Sequence, residues 1–117
     1  MTQNADIDVN EMKEKLLAWR AELERLSAQS KDARDAVELD QTRQGRLSRQ
    51  DALIQQEMAK ETERRRMQDR QRIDAALKRI ERDDYGYCLG CDEEIAPKRL
   101  ALDPAITTCI RCASGQN

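Results

Sequence analysis

Two cysteine pairs, Cys88-Leu-Gly-Cys91 and Cys109-Ile-Arg-Cys112, with seventeen residues between them, constrain this chain more than any other feature. A C-x2-C unit turns two thiolates onto one tight bend. A second unit fifteen to twenty residues further on completes a tetrahedral sulfur cage suited to zinc. Thiolate is a soft ligand, and zinc asks for nothing beyond four-coordination. Four sulfurs leave no open position for a bound water, so one structural zinc ion is expected rather than a catalytic one. Three other readings are weaker. A disulfide pair needs an oxidising compartment, a thioredoxin-like dithiol needs one such unit in a βαβ setting, and iron–sulfur clusters usually take other spacings.

The remaining residues cannot build a large core. Of 117 residues, 38% are charged and 3% aromatic; Phe is absent, and Trp19, Tyr85 and Tyr87 are the only rings. Stability must come from helix–helix seams and from the metal, which contributes on the order of 10 kcal/mol to a small zinc module. The net charge of -2 conceals a polarity: ten acids against six bases over residues 1–40, then nine bases against five acids from Lys60 to Arg82. His is absent, which removes the usual general base and pH switch. The chain reads as a binding protein and not an enzyme. The N-terminus has neither a basic nor an apolar leader region, and no apolar run approaches the roughly 18–20 residues that span a bilayer. A cytoplasmic protein without membrane contact is expected.

Periodicity then sets the fold class, mainly α. The first eight residues are expected to fray, with Asp8 capping a helix. Val9, Met12, Leu16, Trp19, Leu23 and Leu26 step three, four, three, four, three, an a/d seam that predicts a long helix. The register continues weakly through Ser30, Ala33 and Val37, to an end in the high thirties. The pattern lapses from Gln41 to Ser48 around Gly45, the natural reversal point. Ser48 is a candidate cap for a second helix from about Arg49 to Asp83, with Gly86 as its stop. Ile54 and Met58 are expected to open its apolar face, and Ile73, Leu77 and Ile80 to close it. Folding the chain near residue 44 sets Met12 opposite Leu77, Leu16 near Ile73 and Val9 near Ile80. The expected architecture is a long antiparallel helical hairpin (coiled coil), residues 9–83 with its tip near 41–48, followed by a small four-cysteine zinc finger over 84–117. A monomer follows from that pairing. A homodimeric coiled coil is the alternative, because an a/d stripe does not name its partner. Trp19 is expected in the core, Tyr85 and Tyr87 at the helix–finger junction, and Ile95, Leu100, Leu102 and Ile106 as an apolar cluster under the zinc turns.

The residues Tyr85-Gly86-Tyr87-Cys88-x-x-Cys91, Ile95, Arg99-Leu100-x-Leu102-x-Pro104-x-Ala and Cys109-x-x-Cys112 resemble the zinc-finger signature of the bacterial DksA/TraR family. The resemblance implies a transcription regulator that binds RNA polymerase. Its coiled-coil finger would enter the secondary channel, acidic tip residues would approach the catalytic centre, and sequence-specific DNA contact would play no part. In the best-known members the alarmone ppGpp cooperates. This chain departs from the pattern at its tip. Asp40 and Asp51 are the only acids in the segment, and Arg43, Arg46 and Arg49 make it basic, which an aspartate pair near magnesium would not be. These five are the candidate partner-binding residues, although Asp51 also suits a first helical turn. Asp92 stands where the family usually has Gly, and Asp tolerates the left-handed backbone needed there. Room is short at both ends for the family's extra segments. The arginine cluster Arg64, Arg65, Arg66, Arg70 and Arg72 reads either as a solvated face with acids interleaved or as the phosphate-contacting stripe of a zinc-ribbon nucleic-acid-binding module. A thiol redox sensor that releases zinc on oxidation is the third reading.

Overall fold

In the computed structural model the backbone is described for residues 7–41 and 46–115, and the side chains for residues 7–32 and 49–115. Two long helices, α1 (Val9–Gln41) and α2 (Arg46–Glu81), precede two short ones, α3 (Pro97–Leu102) and α4 (Ile110–Ala113). The chain forms two compact units, Met1–Arg20 with Gln71–Asn117 and Ala21–Arg70, so each long helix contributes to both. The reversal between the helices, with Gly45 and the tip residue Arg43, lies outside the described residues. So do the expected fraying of residues 1–6 and the side chains that would carry the seam through Ala33 and Val37.

In the first unit α1 starts as its sequence dictates. Asp8 accepts the Glu11 N–H on its carboxylate at 3.2 Å and the Met12 N–H on its carbonyl at 3.1 Å, which satisfies two of the donors orphaned at a helix start. Val9, Met12 and Leu16 from α1 and Ile73 and Ala76 from α2 form its buried stripe. Trp19, expected in the core, is half-buried at the edge of the seam, with the Arg72 guanidinium over its ring at 5.9 Å. A cation on the ring face shields it from water without enclosing it. Arg20 Nη1 donates to Asp74 Oδ1 at 2.9 Å across the helices.

The second unit corrects the reading of α2. Ile54 and Met58, expected to open the apolar face, are 60% and 66% exposed, while Ala52 is buried. Along α2 the buried or half-buried residues Ala52, Gln56, Ala59, Glu63, Arg66, Arg70, Ile73, Leu77 and Ile80 follow an unbroken alternation of four and three, with Ala76 buried beside them. The seam exists, but its middle is polar. Ile73 is buried as expected, so apolar composition points to the wrong face of α2 only at Ile54 and Met58. Arg66 Nη1 donates to the Leu26 carbonyl at 3.3 Å and to Ser30 Oγ at 2.8 Å. Arg20 and Arg66 both reach one to two turns past the residue directly opposite in a hairpin folded near residue 44. Side chains lean toward their own helix N-terminus, so in antiparallel helices long arginines meet partners displaced in that sense.

Both ends of α2 differ from expectation. It begins at Arg46, which puts Ser48 inside the helix rather than at its cap and leaves no acid in the first turn, so Asp51 has no end-charge role there. Asp83, not Gly86, stops it. Asp83 takes a left-handed φ of 60°, its N–H donates to the Ile80 carbonyl at 3.2 Å, and the Asp84 N–H donates to the Arg79 carbonyl at 3.0 Å. That pair of bonds is a Schellman motif with Asp in the position glycine usually fills. Among the described residues no helix is long and apolar enough to cross a membrane.

Candidate metal centre

Two knuckles approach each other at the C-terminal end of the first unit. In the first, the Cys88 N–H donates to the Glu93 carbonyl at 2.8 Å and the Cys88 carbonyl accepts the Asp92 N–H at 2.9 Å. Tyr87 and Glu94 form an isolated antiparallel bridge, and Ile95 N–H donates to Gly86 at 2.8 Å. Asp92 turns the chain with φ 63°, the left-handed conformation its position requires. In the second knuckle extended Cys109 caps α4, and its sulfur accepts the Cys112 N–H at 3.5 Å. The Leu89 N–H donates to the Thr107 carbonyl at 2.8 Å, which joins the knuckles, and Arg99 on α3 braces the second by donating Nε to the Thr108 carbonyl at 2.8 Å.

The four sulfurs of Cys88, Cys91, Cys109 and Cys112 converge within 4.8 Å of one another. Cys91 and Cys109 sulfurs stand 3.7 Å apart. A tetrahedron with Zn–S of about 2.3 Å has an edge of roughly 3.8 Å, so the donor set fits the ion in kind and in spacing. Cys88 is buried, and its sulfur accepts the Gly90 N–H at 3.3 Å, a bond that favours thiolate and orients it toward the metal. Backbone N–H groups, that of Cys109 foremost, hold the Cys88 thiol down at about 6. Cys112 is pushed up to about 12, first by its hydrogen bonding to Cys88 and then by burial. Gly90 is sterically required. A Cβ there would lie 3.0 Å from the Cys112 sulfur and 3.4 Å from its Cβ. A depression of 360 Å³ opens beside Cys91 and Cys109 between Glu93, Glu94, Arg99 and Arg111.

The centre is anchored to the helices by residues whose roles the sequence did not disclose. Tyr85, buried as expected at the junction, donates its hydroxyl to the Pro104 carbonyl at 2.6 Å. Arg72, stacked over Trp19, also pairs with Asp103 at 2.5 Å. Beneath the knuckles Ile95, Leu100 and Ala105 are buried, but Leu102, expected in that cluster, is 89% exposed. It ends α3 on the face opposite Leu100.

The arginine cluster splits by direction. Arg64 and Arg65 pair with Glu61, whose carboxyl the Arg64 hydrogen bond holds below its ordinary range. Arg66 and Arg70 turn into the seam, each within 3.6 Å of Glu63. With Arg72 committed to Asp103, no continuous cationic stripe remains for phosphate, which the nucleic-acid reading requires. Of the candidate tip residues, Arg49 and Asp51 are exposed on α2. Asp40 and Arg46 lie in helical backbone with side chains outside the described residues, and Arg43 lies outside altogether.

Residues 83–117 match the prokaryotic DksA/TraR C4-type zinc-finger family. The RNA polymerase-binding transcription factor DksA of Haemophilus influenzae is 44% identical over 52 residues, covering 40% of this chain and 36% of that protein. The factor of the same name from Escherichia coli K12 is 40% identical over 52 residues, covering 40% and 34%. The chain thus matches only about a third of the length of these curated relatives. The solved structure of transcription factor DksA2 from Pseudomonas aeruginosa aligns with a TM-score of 0.81 and 26% identity over 92% of this chain and 81% of that one.

Proposed function

Taking the chain as a member of the DksA/TraR zinc-finger family, we propose that it is an RNA polymerase-binding regulator of transcription, acting by contact and without turnover. The observation that carries this reading is the DksA2 likeness over 92% of the chain, because it extends well beyond the finger to the paired helices. One structural zinc ion, held by Cys88, Cys91, Cys109 and Cys112, would fasten the knuckles to the hairpin base. The ion supplies cross-linking and no chemistry, since four sulfurs close its coordination. The paired helices are the part that enters the secondary channel, as a monomer in the cytoplasm. The tip carries Arg43, Arg46 and Arg49 around Asp40 and Asp51. Its charge is opposite to that of an acidic pair, so binding is retained while the effect on promoter complexes, and the response to ppGpp, differ from those of acid-tipped members.

The test is capture of purified bacterial core RNA polymerase on the immobilised zinc-loaded chain, with and without DNA, followed by transcription assays with and without ppGpp. Retention without DNA is expected. Retention that requires DNA, and that falls steeply with salt, would return the chain to the nucleic-acid-binding reading.

A further inference from the structure

The seam of the second unit holds a charged layer that the polymerase reading does not use. Of its three charged residues Arg66 is the least exposed, with 17% of its side chain exposed, followed by Glu63 at 24% and Arg70 at 30%. Arg66 Nη1 reaches the Leu26 carbonyl, Ser30 Oγ at 2.8 Å, and Glu63 Oε1 at 3.6 Å. The second Glu63 oxygen lies 3.6 Å from Arg70 Nη2. Ser27 Oγ, Glu63 Oε1 and Arg70 Nε are buried without a hydrogen-bond partner. Ser30, Glu63, Arg66 and Arg70 fill heptad positions where Leu or Ile would pack with no desolvation cost. A charged layer in that place is poor at stabilising and good at discriminating.

We infer that the layer of Ser30, Glu63, Arg66 and Arg70 selects the pairing of the two helices, fixing α1 against α2 in one register and opposing parallel association of α2 with itself. The alternatives fail on named residues. Sliding the helices by one heptad replaces Ser30, the hydroxyl that Arg66 reaches, with Leu23 or Val37, neither of which has a side-chain acceptor, so the half-buried guanidinium keeps Glu63 on its own helix but loses its side-chain partner on α1. Two copies of α2 in parallel register would set Glu63 against Glu63, Arg66 against Arg66 and Arg70 against Arg70. Like charges at facing seam positions oppose that dimer. The buried apolar residues Val9, Met12, Leu16, Ile73 and Ala76 of the first unit supply affinity but do not distinguish one register from another.

The test compares the full zinc-loaded chain with the triple variant Glu63→Leu, Arg66→Leu, Arg70→Leu, by light scattering across a dilution series and by amide proton–nitrogen spectra. The unaltered chain should show one mass, that of a monomer, and one set of amide signals. The variant should resist urea better yet show concentration-dependent oligomers, doubled amide signals, or both. The single variant Arg66→Met, with smaller change in hydrophobicity, should keep its helicity and show a minor second set. One set of amide signals and a monomer mass in both variants would overturn the inference, as would parallel association of the unaltered chain through α2.

Discussion

Leu16→Ala and Ile54→Ala, measured side by side, test which residues the helices bury. Leu16 is 0% exposed, whereas Ile54 is 60% exposed. Truncating a fully buried Leu costs about 2–5 kcal/mol through lost transfer energy and the cavity left behind. A two-helix seam can close over part of the gap, so about 3 kcal/mol is expected at Leu16. At Ile54 the removed atoms are already in water, and Ala is the better helix former, so the change should stay within about 0.5 kcal/mol of zero. Urea unfolding followed by circular dichroism, with zinc saturating, separates the two. With a slope of about 1–3 kcal/mol per molar urea, the Leu16 variant's midpoint should fall by about 1–3 M while the Ile54 variant's barely moves. Equal losses at both positions would mean that α2 packs through Ile54 and Met58 after all, and the polar heptad would be wrong.

Gly90→Ala should weaken zinc binding about 10–100-fold, since orienting groups around a metal site act on that scale and the new Cβ would press on the Cys112 sulfur at 3.0 Å. Competition with a chromophoric chelator reads this directly, and unchanged affinity would show that Cys112 can shift at no cost. Tyr85 is predicted to give the fold an alkaline limit. Burial pushes its phenol from 10.0 up to about 12, so the folded chain holds that proton more tightly than the unfolded one. The stabilisation is whole below pH 10 and disappears as the pH rises through 12, a loss that Tyr85→Phe should reduce in thermal melts at stepped pH.

The finger was legible because its information is local. Residues within one C-x2-C turn set the knuckle, and the spacing to the second pair needs only a chain short enough to return. Asp8 at the start of α1 was legible for the same reason, a cap and its acceptors lying within one turn. Residues that depend on a distant partner were not. Ile54 and Met58 have the composition of a buried face, yet the register set by Leu16, Leu23 and Ile73 turns them outward. Glu63, Arg66 and Arg70 look like a solvated run, yet the same register turns them inward. Asp83 does not stand out in the sequence because glycine is the usual helix stop, although Asp also tolerates positive φ at little cost. Arg72 belongs by sequence with its arginine neighbours, yet it faces Trp19 and Asp103, 53 and 31 residues away. Hydropathy ranks a position by what it is, whereas a seam ranks it by phase. When the heptad is followed by phase alone, the polar residues from Glu63 to Arg70 connect the apolar stretches on either side.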